Sequence, residues 1–313
     1  MATIRALTIA LGLGATFGLS ANALAQETYI PLISKGFQHQ FWQAVKQGAE
    51  QAGKDLKVKV SFEGPETEAM VDKQIDMLSA ALAKKPKAIG FAALDSKAAI
   101  PLLKKAQAAK IPVVAFDSGV DSDIPVTTAT TDNKAAAALA ADKMAELIGK
   151  SGEVAVVAHD QTSRTGIDRV EGFTQRMKST YPNIKVVSVQ YGGGDHLKST
   201  EITKSILQAS PNLKGMFGAN EGSAIGVLNG AKEMKRKIVV IGYDSGKLQK
   251  DAIRNGTMAG AITQNPVGIG YKTVEAAVKA LKGEKLPKII DTGFYWYDKS
   301  NISDPKIAAV LYD

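Results

Sequence analysis

The chain contains two apolar strands that each end in an aromatic residue followed by an aspartate. Residues 238–241 are four consecutive β-branched residues, typical of a strand buried on both faces, and Tyr243 and Asp244 follow after a glycine. The same pattern occurs earlier, where residues 111–116 run directly into Asp117. Ligands of parallel α/β sheets bind beyond the carboxyl ends of the strands. The two endings therefore predict two similar lobes that face one cleft, although either aspartate alone is also a common helix cap.

Predicted strands alternate with amphipathic helices along the whole chain. In one such segment, predicted to be a helix over residues 68–83, apolar residues recur at spacings of three and four from Val71 to Leu82. Strand–helix alternation of this kind indicates parallel sheets with right-handed crossovers.

The alternation restarts after residue 131, and two further seams fall near residues 264 and 293. We therefore predict an α/β fold with two doubly wound parallel-sheet lobes, joined by three crossover segments and separated by a ligand cleft. The predicted N-terminal lobe comprises residues 26–131 and 265–293, and the C-terminal lobe comprises residues 132–264 and 294–313.

The first 25 residues have the pattern of a secretory signal peptide. Arg5 precedes an apolar stretch over residues 6–19, which leads to the small-residue motif Ala23-Leu24-Ala25. A membrane anchor is the alternative, but this stretch is shorter than the roughly 20 residues that a span requires. The chain has no cysteine, so lipid attachment at a cysteine and a disulfide framework are both excluded. We predict cleavage after Ala25 and a periplasmic location.

The charge pattern argues against a nucleic-acid partner. The formal net charge is +8 at pH 7, but the lysines are scattered over the predicted helices. No basic cluster with interleaved aromatic residues is present in the sequence. The basic residues are therefore interpreted as solvated helix faces.

A series of short motifs resembles that of the periplasmic sugar-binding proteins of the ribose/galactose type, which have the type I periplasmic binding fold. The motifs are Phe41-Trp42, Ala93-Leu94-Asp95-Ser96, Val114-Ala115-Phe116-Asp117, Thr131-Asp132-Asn133, Arg169-Val170-Glu171-Gly172-Phe173, Gly218-Ala219-Asn220-Glu221, Val240-Ile241-Gly242-Tyr243-Asp244, Ile262-Thr263-Gln264-Asn265-Pro266 and Leu281-Lys282-Gly283-Glu284-Lys285. The resemblance implies a monomeric substrate-binding component of an ABC importer, with no cofactor. Its partners would be a monosaccharide and a membrane permease.

The resemblance also implies a set of ligand contacts. Phe41 and Trp42 match the family's aromatic pair against one face of the sugar, and Tyr243 matches the facing aromatic residue. The family's polar contacts to the hydroxyls match Asp117, Asn220, Asp244 and Gln264. Aromatic rings suit the C–H faces of a sugar, and carboxylates and amides suit its hydroxyls. Core packing remains an alternative for the aromatic pair, as does hinge geometry for Gln264.

Several positions depart from the family's ribose binders, which makes ribose in the usual pose doubtful. This chain has His39 and Ala92 where those proteins have asparagines, and Ser118 where they have an arginine. Their second-lobe aromatic residue falls on glycines at 192–194, and their other arginine is either replaced by Arg164 or lost. The predicted site therefore includes Ser118 and three alternative donors: Lys35, His39 and Arg164. A role in capping the helix that starts near Phe41 remains open for His39.

The sequence favours sugar binding over three other functions. The carboxylates lack the nucleophile elbow, phosphate loop or metal-spaced cluster that would indicate an enzyme. A sugar-responsive repressor would carry a helix-turn-helix where this chain has its export signal. A receptor for a furanone-type quorum signal shares Lys35 and the stretch 62–65, but the aromatic–aspartate endings favour a sugar. A pentose, a branched sugar or a related polyol is the expected ligand.

Overall fold

This computed structural model describes residues 27–313, so the predicted signal peptide lies outside the described residues. The strands are β1 (Tyr29–Ile33), β2 (Lys59–Glu63), β3 (Ile89–Phe91), β4 (Val113–Phe116), β5 (Thr127–Thr130), β6 (Gly152–Ala158), β7 (Ile184–Tyr191), β8 (Leu213–Gly218), β9 (Val239–Tyr243), β10 (Gly260–Gln264), β11 (Ile289–Asp291) and β12 (Phe294–Tyr297). The helices are α1 (Gln40–Leu56), α2 (Val71–Ala83), α3 (Ile100–Ala108), α4 (Asn133–Leu147), α5 (Arg164–Thr180), α6 (His196–Ala209), α7 (Glu221–Glu233), α8 (Lys247–Arg254), α9 (Pro266–Leu281) and α10 (Pro305–Ala308).

The first sheet has the strand order β11-β5-β4-β3-β1-β2, and all of its pairings are parallel. Its central strand β4 is buried over its whole length, as its run of apolar residues predicts. Helices α1 and α9 cover one face of the sheet, and α2 and α3 cover the other. The first lobe is therefore doubly wound.

The second sheet repeats this arrangement with the order β12-β10-β9-β8-β6-β7. Its strands pair in parallel except for β12, which runs antiparallel to β10 at the edge. Helices α4 and α5 pack on one face, and α6, α7 and α8 pack on the other. The predicted fold class is confirmed.

The chain passes between the sheets three times: from β5 to α4, from β10 to α9, and from β11 to β12. After the second passage α9 packs closely against α1. A Cβ atom on Gly270 would lie 1.9 Å from the carbonyl oxygen of Val45, and one on Gly48 would lie 2.0 Å from that of Val267. Glycine at both positions therefore permits the contact. The strand membership supports the predicted limits of the lobes, which stay a prediction.

Two local features differ from the sequence-based expectation. Helix α2 begins at Val71 and not at Glu68, because the backbone N–H of Glu68 donates to Gln38 Oε1 at 2.8 Å and its side chain turns inward. The short helix α10 was not predicted; its cap is Asp304, which accepts a hydrogen bond from the N–H of Lys306. Within residues 27–313 no helix is long and apolar enough to cross a membrane.

Candidate ligand-binding site

A narrow cavity lies between the carboxyl ends of the two sheets. Its lining side chains are all buried and come from both lobes. They are Lys35, His39, Phe41, Trp42, Glu68 and Asp117 from the first lobe, and His159, Thr165, Arg169, Asn220, Asp244 and Gln264 from the second.

The two aspartates enter the cavity through the same backbone geometry. Asp117 follows β4 with φ 54°, and Asp244 follows β9 with φ 80°. Aspartate tolerates this left-handed conformation better than most residues because its short side chain can hydrogen-bond locally. A turn of this kind directly after each strand brings both carboxyl groups to the cavity.

The first lobe supplies the aromatic wall of the cavity. Phe41 and Trp42, in the first turn of α1, meet edge to face with their ring centroids 5.0 Å apart. The indole Nε1–H of Trp42 donates to Glu68 Oε1 at 2.7 Å. Glu68 therefore fixes the orientation of the Trp42 ring.

Lys35 is a buried cation that connects the two lobes. Its Nζ donates to Thr165 Oγ1 at 3.2 Å and lies 3.9 Å from Glu68 Oε2 and from Asp160 Oδ2. Burial alone would raise the pKa of Glu68, but the positive charge of Lys35, the two cavity histidines and the hydrogen bond from Trp42 together outweigh it, and the pKa is lowered. Glu68 is therefore an ionised partner of Lys35.

Asp117 has unused hydrogen-bonding capacity. Its Oδ1 atom is buried and has no hydrogen-bond partner among the described residues. Burial raises the pKa of this carboxyl group from 3.8 to about 6, although Lys35 and Arg169 act in the opposite direction. A buried carboxylate oxygen without a donor is costly, so a ligand hydroxyl that donates to it would be strongly favoured.

Asp244 is instead held within the protein. Its Oδ1 accepts from Gln264 Nε2 at 2.8 Å, and its Oδ2 accepts from the backbone N–H of Glu221 at 3.0 Å. Gln264 Oε1 in turn accepts from Thr131 Oγ1 at 2.8 Å, which links β10 to the segment after β5. Gln264 therefore lies both at the cavity and at a crossing between the lobes.

Arg169 is the buried cation of the second lobe. Its Nε donates to Asn133 Oδ1 at 2.8 Å, and a terminal nitrogen donates to the carbonyl oxygen of Ala219 at 2.9 Å. The guanidinium group lies 3.8 Å from the ring centroid of Tyr243, and the Tyr243 hydroxyl also donates to Asn133 Oδ1. These contacts lock Arg169 in position beside the cavity.

Two histidines complete the polar lining. His159 Nε2 lies 3.1 Å from Thr165 Oγ1, and burial, reinforced by Lys35, lowers its pKa to about 3. His39 lies next to the second lobe, with its ring stacked on that of His196 at a centroid distance of 5.9 Å. The Nδ1 atoms of His39 and His159 are buried and have no partner among the described residues.

The structure brings most of the predicted site residues into one cavity. These are Lys35, His39, Phe41, Trp42, Asp117, Asn220, Asp244 and Gln264. Asn220 also caps α7, because its Oδ1 accepts from the N–H of Ser223 at 2.9 Å. His39 makes no side-chain capping bond to α1, which removes the capping alternative for that residue. That these residues contact a ligand stays a prediction.

Three predicted site residues lie outside the cavity lining. Arg164 is 31% exposed and pairs with Asp168 on its own helix and with Asp121 at 3.5 Å. Tyr243 is fully buried beneath Arg169, so it does not face Phe41 and Trp42 across the cavity. Ser118 is also fully buried, behind the strand end.

Four lining residues were missed from the sequence: Glu68, His159, Thr165 and Arg169. Arg169 carried a detectable signal, because it opens one of the motifs that carry the family resemblance. It lies five residues beyond Arg164 on α5, and it lines the cavity whereas Arg164 does not. Glu68 falls at the start of the helix predicted over residues 68–83, so no role in the site is predicted for it from the sequence. Among residues 27–313 no cluster of three or more His, Cys, Asp or Glu side chains could hold a metal ion.

Two doubly wound lobes around a buried polar cavity define a binding protein of the type I periplasmic class. Residues 30–285 match the periplasmic binding protein domain, and the chain belongs to this family. It is 29% identical to the ribose import binding protein of Salmonella typhimurium over 91% of this chain and 95% of that protein. It is 28% identical to the D-allose-binding periplasmic protein of Escherichia coli over 86% of this chain and 89% of that protein.

The solved structures agree with this assignment. A carbohydrate transporter solute-binding protein from Agrobacterium radiobacter, in complex with D-arabinose, superimposes with a TM-score of 0.88. It is 34% identical, and the alignment covers 92% of this chain and 99% of that one. The resemblance to periplasmic sugar-binding proteins is thus confirmed.

Proposed function

We propose that the protein is the substrate-binding component of an ABC importer and that it binds one neutral monosaccharide between its lobes. The observation that carries the proposal is the unpartnered, buried Oδ1 of Asp117, placed in one small cavity with the rings of Phe41 and Trp42. A sugar ring offers a C–H face to the aromatic wall and a hydroxyl donor to the carboxylate.

The charge of the cavity supports an uncharged ligand. The cations Lys35 and Arg169 are opposed by the carboxyl groups of Glu68, Asp117 and Asp244. There is therefore no surplus of positive charge for an anionic ligand. The relative named for ribose and the neighbour in complex with D-arabinose support a pentose, and the relative named for D-allose keeps a hexose as an alternative.

The transport role follows from the family and from the two-lobed design. A ligand that bridges the lobes makes all its contacts only when they are closed, so binding shifts the protein towards the closed form. The closed pair of lobe surfaces is what a membrane permease would recognise. We propose that the mature protein acts in the periplasm as a monomer, leaves its ligand chemically unchanged and does not bind nucleic acid.

The test is thermal denaturation of the mature protein against a panel of pentoses, hexoses, branched sugars and polyols, followed by calorimetric titration of each hit. A ligand at 100 times its dissociation constant stabilises the folded state by about 2.7 kcal/mol. We expect stabilisation by a small set of neutral sugars at a stoichiometry of one, with each sugar recovered unchanged by mass spectrometry.

The panel also includes the alternatives. The position of Lys35 in the cavity keeps the furanone-type signal as a second candidate, so that compound is tested alongside the sugars. Turnover of any compound would indicate an enzyme. Exclusive binding of the furanone would contradict the sugar proposal.

A further inference from the structure

Helix α1, which carries the aromatic wall of the cavity, is capped by the opposite lobe. Its N-cap residue His39 makes no capping bond, and its first turn has no acidic residue. The N–H groups of Gln40 and Phe41 instead donate to Glu221 Oε1 and Oε2, both at 3.2 Å. Glu221 is the first residue of α7 in the second lobe. Carboxylates stabilise helix N-termini because the first N–H groups lack partners within the helix.

A helix of the second lobe is capped in turn by a side chain of the first lobe. Helix α8 of the second lobe begins at Lys247, and its N-cap residue Gly246 has no side chain. The N–H of Lys247 donates to Oε1 of Gln40, in the first lobe, at 2.7 Å. Each lobe therefore supplies the cap for a helix of the other lobe.

The capping side chains of Glu221 and Gln40 both lie next to Gly246. A Cβ atom at this position would lie 2.8 Å from Glu221 Oε1 and 2.9 Å from Gln40 Oε1. The φ angle of Gly246 is −57°, which any L-residue adopts without strain. A methyl group here would therefore displace the two caps while remaining compatible with the backbone of its own lobe.

The caps are also connected to the cavity. The backbone N–H of Glu221 donates to Asp244, and the carboxylate of Glu221 accepts from the N–H of Phe41. Asp244 and Phe41 both line the cavity, whereas Gln40, Glu221 and Gly246 do not. A change in the caps can therefore alter ligand binding without removing a ligand contact.

We propose that Gln40 and Glu221 form an interlobe latch, in which the reciprocal capping of α1 and α8 stabilises the closed arrangement. The latch also positions Phe41 against the second-lobe wall of the cavity. This inference rests on the proposed function, because it assigns a role in lobe closure. In an open arrangement water satisfies the same N–H groups, so the latch contributes the difference between a carboxylate or amide cap and water.

The decisive variant is Gly246→Ala. We expect its dissociation constant for the sugar of the panel that stabilises the wild-type protein most to rise between about twofold and thirtyfold, which is the range that a lost helix cap produces. Its melting temperature without ligand should not fall, because alanine suits this backbone conformation. Glu221→Gln and Gln40→Ala should weaken binding in the same range. Glu233→Gln, at the exposed end of α7, and Gln51→Ala, on the exposed side of α1, are matched controls that should bind as the wild type does.

Interlobe distance gives a readout that does not depend on the sugar. The chain has no cysteine, so fluorescent labels can be attached through Lys73→Cys on α2 and Lys178→Cys on α5, both exposed. We expect Gly246→Ala to lengthen the mean distance between the labels in the ligand-free protein.

The outcomes separate the two proposals. A Gly246→Ala variant that matches the wild type in both affinity and distance would overturn the latch. So would a Glu221→Gln variant that only lowers the melting temperature. A wild-type protein that binds no sugar would contradict the proposed function, while the ligand-free distances would still test the latch.

Discussion

Asp117 and Asp244 occupy equivalent positions in the two lobes, but only Asp244 has both carboxylate oxygens bonded within the protein. Asp244 accepts from Gln264 and from the backbone of Glu221 at 2.8 and 3.0 Å. Asp117 Oδ1 is buried without a partner among the described residues. The first aspartate is thus available to a ligand, whereas the second also holds the framework together.

The Asp117→Asn variant should lose affinity but not stability. The amide replaces a hydrogen bond to a charged acceptor, worth about 1.5–3 kcal/mol, with at best a weaker neutral one, so binding should weaken by up to roughly one to two orders of magnitude. The ligand-free melting temperature should not fall, because the substitution removes a buried charge. Calorimetric titration and thermal denaturation measure the two effects. Asp123→Asn, at a fully exposed position, is the control. Unchanged affinity with a lowered melting temperature would show that Asp117 is structural.

The Asp244→Asn variant should lose stability as well as affinity. Its side-chain amide cannot accept hydrogen bonds from both Gln264 and the Glu221 N–H, so a buried donor is left unsatisfied at a cost of about 1–3 kcal/mol. Chemical denaturation without ligand should show this loss in the free energy of unfolding. A variant as stable as the wild type would contradict the framework role.

Sugar affinity should fall as the pH falls below about 6. Burial holds the pKa of Asp117 at about 6 in the ligand-free protein, and a hydroxyl that donates to the carboxylate favours the ionised form. Binding therefore lowers this pKa and releases a proton at low pH. The affinity should be at its maximum above pH 6 and should decline by up to tenfold per pH unit below it. Titrations between pH 5 and 8 check the profile. The profile should be flat over this range in Asp117→Asn, and the same decline in that variant would assign it to another group.

Arg169 and Arg164 form a matched pair of substitutions on one helix. Arg169→Ala removes a buried cation with three partners at the cavity, so binding should become undetectable or weaken at least tenfold. Arg164→Ala removes a partly exposed ion pair, whose contribution is about 0–1 kcal/mol, so binding should change little. Titration of both variants is the measurement. A larger loss of affinity in Arg164→Ala than in Arg169→Ala would show that Arg164, the residue predicted from the sequence, is the arginine that supports binding.

Trp42 should report ligand binding through its fluorescence. The chain has two tryptophans, so Trp296→Phe leaves Trp42 as the single emitter. Sugar against the indole should change its emission. Glu68→Leu should weaken binding because the Trp42 ring loses its anchor and Lys35 loses one of its two carboxylate partners. Glu68→Gln, which keeps an acceptor for the indole N–H, should have a smaller effect on the Trp42 spectrum. Identical spectra for the two Glu68 variants would contradict the anchoring role.

The fold could be predicted from the sequence because its signals are local. The apolar run before Asp244 and the helical spacing from Val71 to Leu82 each identify an element without reference to any other. The aspartates at the strand ends were located by the same reasoning, since parallel strands present their carboxyl ends at one edge.

The remaining site residues depend on contacts between distant segments. Glu68 enters the cavity because Gln38 holds its backbone and Trp42 binds its carboxylate, and no spacing rule predicts either contact. Tyr243 stands in the position expected of a facing aromatic residue, but Arg169 covers its ring. Arg164 and Arg169 lie little more than one helical turn apart on α5. Only the packing of this helix determines which of the two arginines faces the cavity.

The third passage of the chain between the sheets has a consequence for the order of folding during synthesis. The edge strand β11 of the first sheet is formed by Ile289–Asp291, and α9, which packs on α1, precedes it by only a few residues. A nascent chain that ends at residue 264 therefore lacks one of the two helices that cover one face of its first lobe, as well as an edge strand. The lobe that begins first along the chain therefore cannot be completed until nearly all of the chain has been made.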